Sequence, residues 1–129
     1  MLELRLKRLT FSKEADNWLR VLKARTGITP NLLCRIGFCV SLEAQGVPDS
    51  HKYPEDSERE INRYTLLGEY EGVLLALLRQ RVAHDGVEAT TLDDMFRAHM
   101  NRGVVILAGR LKGLDELHSL VTEAARSAA

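Results

Sequence analysis

Basic side chains are concentrated in the first third of this 129-residue sequence, and clustered lysine and arginine are the groups that bind phosphate. Residues 1–40 hold eight basic side chains against three acidic ones, a net charge of +5, and the rest of the chain carries the balancing −5. This asymmetry is typical of a protein with one end facing a polyanion, although a solvated basic face has the same composition. The candidate nucleic-acid contacts are Arg5, Lys7, Lys13, Arg20, Lys23 and Arg25.

Carboxylates offer a second chemistry, metal-dependent cleavage of a DNA strand. The residues that would have to converge on Mg²⁺ are Glu69, Glu71, Asp93, Asp94 and His99. Their spacing is poor, because residues two apart on a helix diverge, and because Asp93 and Asp94 suit a helix cap and an i,i+4 pair with Arg97. We therefore expect no catalytic residue and no cofactor, and the nicking enzyme stays as an alternative.

Neither the cysteines nor the histidines form a recognisable site. Cys34 and Cys39 lie five residues apart in one predicted helix, which points their side chains to different faces and disfavours a disulfide bond. No histidine stands at metal-ligand spacing from another histidine or from a cysteine. We expect two free thiols in the core and no metal site.

A short strand and two helices must position the basic residues. Residues 2–7 alternate leucine with charged side chains, which predicts a strand or else the start of a helix. On such a strand Arg5 and Lys7 would project from the polar face toward a DNA groove. Ser12 as N-cap and Gly27 as C-cap delimit the first helix, whose lysines and arginines would hold the DNA backbone.

The second helix is predicted from Pro30 to about Glu43, with Thr29 as its cap. Residues 32–42 are almost all apolar or small, so this helix needs more cover than one subunit supplies, and we expect a homo-oligomer. The predicted order of elements, a strand, an amphipathic helix, a corner and a buried helix, is that of a ribbon-helix-helix unit. A helix-turn-helix or a plain helical hairpin shares most of that order.

The remaining residues divide into a connection and a helical part. Residues 45–58 contain two prolines, a glycine and several acids, and predict an exposed strap. A third helix is expected from about Glu58 to Asp85, with two glycines that mark close packing or a break. Its expected core face consists of Ile61, Tyr64, Gly68, Leu75, Leu78 and Val82. Thr91 resembles the cap of another helix, and the leucines that follow approach heptad spacing.

The chain is therefore expected to form a single domain over residues 1–129, mainly α-helical. It comprises a basic DNA-binding part (1–44), the strap (45–58) and a helical oligomerisation part (59–129). The longest apolar run, residues 73–78, is too short to span a membrane, and the N-terminus lacks the apolar core of a signal peptide. These features predict a cytoplasmic protein.

Three stretches resemble the DndE family of the bacterial DNA sulfur-modification system, which replaces a non-bridging phosphate oxygen of DNA with sulfur. They are LKARTGITPNLLCR (22–35), NRYTLLGEY (62–70) and HMNRGV (99–104). The resemblance implies a compact helical homotetramer that binds duplex DNA, preferably nicked, through a lysine-rich surface. It also implies two partners, the iron–sulfur protein DndC and the ATPase DndD.

The resemblance implies that Lys23 and Arg25, which lie within the first stretch, are DNA contacts, together with Lys13 and Arg20 nearby. Several basic positions here are arginine where the family surface is lysine-rich. The resulting hypothesis is a non-catalytic DNA-binding subunit of the DNA phosphorothioation machinery. Two alternatives are the nicking enzyme and an assembly adaptor whose basic face meets an acidic protein instead of DNA.

Overall fold

The structure, a computed structural model, describes residues 3–87, 91–112 and 114–128. It is mainly helical, as the sequence predicts, and it also contains a small antiparallel sheet. The strands are β1 (Arg8–Thr10) and β2 (Glu60–Asn62). The helices are α1 (Lys13–Thr26), α2 (Pro30–Glu43), α3 (Arg63–Leu67), α4 (Glu71–Asp85), α5 (Leu92–Arg110) and α6 (Leu114–Ala128), with 3₁₀ turns at Ser50–Lys52 and Gly68–Tyr70.

Helices α1 and α2 have the bounds that the sequence predicts, because both are delimited by local signals. The Ser12 hydroxyl accepts a hydrogen bond from the Ala15 N–H at 3.1 Å. Gly27 ends α1 with φ 73°, a left-handed conformation that only glycine adopts without strain, and its N–H donates to the Lys23 carbonyl. Pro30 occupies the start of α2, where its missing N–H costs nothing.

The centre of the fold is the contact between α2 and α5. A Cβ atom added at Gly103 would lie 2.0 Å from the Gly37 carbonyl oxygen, so these two helices touch backbone to backbone. Phe38 and Phe96 pack beside this contact with ring centroids 5.4 Å apart, and both are fully buried. Such a close approach fixes α2 relative to α5 more tightly than side-chain packing alone.

The strand lies later in the chain than predicted, and its pairing differs from that of a ribbon-helix-helix unit. β1 begins at Arg8 and pairs with β2 of the same chain in the register Leu9↔Ile61, so its partner is not the strand of a second subunit. Residues 4–7 still alternate as expected, with buried Leu4 and exposed Lys7. Leu2, which belonged to the predicted strand, lies outside the described residues.

The single third helix predicted from Glu58 is wrong. The chain forms β2, α3, a 3₁₀ turn and α4 instead, because Asn62 caps α3 through its side chain and Gly68 interrupts the helix with φ 56°. Of the two roles considered for these glycines, close helix packing and a break, Gly68 marks a break. Leu75, Leu78 and Val82 are buried as predicted, whereas Tyr64 is exposed.

The strap at residues 45–58 is held down by arginines from α4 and α5. Arg81 and Arg102 both donate to the Gly46 carbonyl, at 2.7 and 2.8 Å, and Arg97 donates to the Tyr53 carbonyl. Since a guanidinium offers several donors in a fixed fork, each arginine can bind more than one strap carbonyl. Within the described ranges, no helix combines the length and apolarity needed to cross a membrane.

The last two helices follow the sequence signals in part. The Thr91 hydroxyl caps α5 by accepting from the Asp94 N–H at 3.2 Å, as predicted. Leu107 and Leu111 are buried in the core, but Val121 on α6 is 60% exposed. The near-heptad leucines therefore do not form one continuous stripe, because α5 ends at Arg110 and a second helix follows.

Candidate nucleic-acid interface

Arg5 and Lys7 project from a segment whose backbone is fixed on both sides. The Asp93 carboxylate accepts a hydrogen bond from the Arg5 N–H at 2.8 Å. The Arg63 guanidinium donates to the Leu4 carbonyl at 2.9 Å, and the Arg63 N–H donates to the Lys7 carbonyl at 2.8 Å. Both cationic side chains are exposed, so they are presented to solvent from an ordered support.

The two residues that build this support were missed as such from sequence. Arg63 and Asp93 are separated in sequence by at least 56 residues from the segment that they hold, and no local sequence pattern marks them. Arg63 also donates to the Glu71 carboxylate through Nε and Nη2, at 2.7 and 3.2 Å, so its own charge is neutralised. Glu71 and Asp93 therefore act as partners of the N-terminal segment and not as ligands of a shared metal ion.

Lys13 and Arg20 lie in a polar cleft of about 640 Å³ between α1 and the strap. Four carboxylates line the same cleft: Glu14, Asp16, Asp56 and Glu58. Arg20 pairs with buried Asp16 at 2.9 Å, and Asp16 also accepts from Arg59 at 2.5 Å. This part of the predicted basic surface is consequently mixed in charge, because the strap folds its acids against α1.

Lys23 and Arg25 are exposed near the C-terminal end of α1. Arg25 donates to the Leu111 carbonyl at 3.3 Å, which ties the end of α1 to the end of α5. In the described parts of the chain, no carboxylate lies within ion-pair distance of Lys23, Arg25, Arg5 or Lys7. The structure thus divides the six predicted contacts into three groups: the N-terminal segment, the mixed cleft and the end of α1.

Most arginines outside these groups have structural partners. Arg35 donates to the carbonyls of Leu66 and Thr65 at 2.9 and 3.0 Å and lies over the Tyr70 ring. Arg8, whose side chain is 73% exposed, pairs with Glu60 at 2.8 Å across the two strands. Their positive charge is partly or wholly committed within the chain, so a count of basic residues overstates what is available to a polyanion.

His99 is fully buried in the core. Its Nδ1 lies 2.8 Å from the Ser41 hydroxyl, which also accepts from Arg102 at 2.8 Å, and Nε2 has no partner among the described residues. Burial, with a smaller contribution from Arg102, lowers the pKa of His99 to about 4. The imidazole is therefore neutral at physiological pH and is held as a core group.

The other residues considered for catalysis are likewise dispersed. Glu69 is exposed, Asp94 pairs with Arg97 at 3.6 Å, and no group of three potential metal ligands occurs within the described residues. Burial raises the pKa of Cys34 to about 12, whereas Cys39 is partly exposed on the outer side of α2. The expectation that both thiols lie in the core is thus wrong for Cys39.

An apolar groove of about 620 Å³ separates α2, α4 and α6. Leu32 on α2 is 44% exposed and Val73 on α4 is 55% exposed, so the groove is open to solvent. Arg35, Glu43 and Arg110 stand among its lining residues. Helix α2 therefore buries one side against α5 and leaves apolar side chains exposed on the other, as the all-round apolar sequence predicts.

Comparisons with known proteins agree on one family. The family model described as DNA sulphur modification protein DndE matches residues 8–114. The crystal structure of DndE from Escherichia coli B7A, involved in DNA phosphorothioation modification, is 27% identical with a TM-score of 0.65, covering 83% of this chain and 98% of that one.

A second crystal structure is of a DndE mutant with two glycine-to-lysine substitutions, also involved in DNA phosphorothioation. It is 24% identical with a TM-score of 0.61 and covers 81% of this chain and 99% of its own, and at this identity it shows the fold alone. A search of curated proteins finds no significant match.

Proposed function

The chain belongs to the DndE family, and from this premise we propose that it is a DNA-binding, non-catalytic subunit of the DNA phosphorothioation machinery. The observation that carries the proposal is two groups of exposed cations that have no carboxylate of the described residues at ion-pair distance. They lie on the N-terminal segment (Arg5, Lys7) and at the end of α1 (Lys23, Arg25). Lys23 and Arg25 fall within the range that matches the family model, whereas Arg5 and Lys7 precede it.

The physical basis is electrostatic. Each cation that neutralises a DNA phosphate releases a condensed counterion, so the logarithm of the binding constant falls by about 0.9 per contact for each tenfold rise in salt. Cations already paired inside the protein contribute little, because binding DNA would require breaking the existing pair. Lys13 and Arg20 therefore rank below the other four, since the acids of the cleft compete with phosphate for them.

Charge reversal at the end of α1 tests the proposal. Lys23→Glu combined with Arg25→Glu should weaken binding to duplex DNA and reduce the salt slope by about two contacts per subunit. The matched control is Lys52→Glu with Arg126→Glu, two exposed cations that belong to neither group, with the same change in net charge. Equal loss of affinity in the two double variants would reject a localised DNA-binding surface.

The same titration on intact, nicked and single-stranded DNA tests the expected preference for nicked duplex. Binding of none of the three would reject the DNA-binding role and favour the assembly adaptor. Co-purification with DndC and DndD measures the proposed partnership independently of DNA.

We also propose that the chain assembles as a homo-oligomer, a tetramer in the form implied by the family, through the apolar groove between α2 and α4. A protein–protein interface typically has apolar side chains at its centre and charged side chains at its rim, and the groove has this composition. Arg35 and Glu43 on one copy can face the opposite charges of a second copy related by a two-fold axis. Leu32→Glu should lower the mass measured by light scattering, and an unchanged mass would exclude this face.

A further inference from the structure

Tyr64 is the most exposed of the large apolar side chains that the structure describes, at 84%. A single exposed hydrophobic residue is ordinary on a protein surface. What distinguishes Tyr64 is its support, because α3 is fixed on the side that faces the core: Leu66 and Leu67 are fully buried. The Asn62 side chain also caps the first turn by accepting from the Thr65 N–H at 2.7 Å.

Tyr64 also lies next to the cationic N-terminal segment. The strand register pairs Arg8 with Asn62, and the hydrogen bond from the Arg63 N–H to the Lys7 carbonyl extends that pairing by one residue. The first turn of α3 therefore follows directly on the residues that border Lys7. An exposed aromatic ring and exposed cations are thus brought together by a backbone pairing between distant parts of the chain.

We propose that Tyr64 is a stacking platform for an unstacked DNA base at an interruption of the duplex, while Lys7 and Arg5 hold the flanking phosphates. This inference rests on the proposed DNA-binding function. An aromatic face beside cations is the arrangement with which proteins hold single-stranded nucleic acid, because every base offers a π-face and the phosphates supply the charge. Inside an intact duplex each base is covered by its neighbours, so the ring gains a partner only where the stack is broken.

The consequence is discrimination between DNA structures. Stacking contributes to binding at a gap, whereas the cations contribute to binding of every duplex. Tyr64 is consequently a specificity-determining residue, and the cations near it set affinity.

The experiment measures the affinity of the full chain for three DNAs of one sequence: intact, nicked, and gapped by one nucleotide with 2-aminopurine opposite the gap. Tyr64→Ala should weaken binding to the gapped DNA by roughly 5- to 150-fold and leave intact duplex within about twofold. The salt slope should not change, because no charge is removed. Tyr64→Trp and Tyr64→Phe should retain the preference, because both keep an aromatic face at this position.

Native protein should also change the 2-aminopurine fluorescence, and Tyr64→Ala should abolish that change. Equal affinities of Tyr64→Ala and native protein for gapped DNA would overturn the inference while leaving DNA binding intact, and so would an equal loss on all three DNAs. Binding of none of the three DNAs by native protein would instead reject the proposed function itself. Thermal melting of each variant verifies folding, and little change is expected because the ring is exposed.

Discussion

Adding one methyl group at Gly103 should force α2 and α5 apart. The new Cβ would lie 2.0 Å from the Gly37 carbonyl oxygen and 2.3 Å from its carbonyl carbon, and both are backbone atoms that cannot rotate away. Ordinary van der Waals contact needs about 3.5 Å, so the helices must separate by more than an ångström. Overpacking of this kind costs about 3 kcal/mol or more, against a gain of about 1 kcal/mol from the higher helix propensity of alanine.

The chain contains a matched control in the same helix. Nothing lies within 4 Å of a Cβ built at Gly109, so Gly109→Ala should stabilise the protein by up to about 1 kcal/mol. The two substitutions make the same chemical change and should shift stability in opposite directions. Urea unfolding followed by circular dichroism measures both, and the midpoint of Gly103→Ala should fall well below that of the native chain.

The reasoning would be refuted by a Gly103→Ala variant whose free energy of unfolding lies within about 0.5 kcal/mol of the native value. Such a result would mean that the two backbones do not touch in solution. A destabilised Gly109→Ala variant would show that alanine at glycine positions of α5 is harmful for a different reason. Only opposite signs support the close contact.

Three further predictions follow from other contacts. Asp93→Ala should bind DNA more weakly than Asp93→Asn, because both remove the same negative charge but only asparagine keeps an oxygen that can accept from the backbone of residues 5 and 6; equal affinities of the two variants would show that this support is unimportant. Since the folded-state pKa of His99 is about 4 against 6.5 in the unfolded chain, stability is full above pH 6.5 and should fall by about 3 kcal/mol as the pH drops to 4. Urea unfolding across this range should show the loss, and His99→Gln should flatten it. Arg81→Ala should accelerate proteolysis near Gly46, because the strap loses a contact at the Gly46 carbonyl and the chain just before it loses two, at the Leu42 and Ala44 carbonyls; an unchanged cleavage pattern would contradict that role.

Helices α1 and α2 could be predicted to the residue because their ends depend on neighbours in sequence. Ser12, Gly27 and Pro30 each determine a helix end through their own backbone or side-chain chemistry. β2 carries no comparable signal: it has three residues, and its partner β1 lies about fifty positions earlier. The pairing depends on tertiary structure, so a continuous helix was the natural prediction for Glu58 onward.

The candidate site shows the same division. The exposure of Lys23 could be predicted from helical spacing, since the apolar stripe of α1 lies on its other side. The strap acids in the cleft that holds Lys13 and Arg20 could not be predicted, because the strap that brings Asp56 against α1 folds back over more than forty residues. Composition therefore predicted a positive first third but not where its charge is neutralised.

The distribution of partners limits how strongly DNA binding can depend on salt. Arg81, Arg97 and Arg102 each donate to strap carbonyls. A guanidinium fork suits such contacts better than the single ammonium group of lysine does. If the four unpaired cations of the N-terminal segment and the end of α1 each meet one phosphate, the salt slope per subunit is about −3.6. A steeper slope would require other cations of the chain as well, or a second subunit on the same DNA. The slope measured beside the oligomer mass therefore distinguishes one engaged subunit from several.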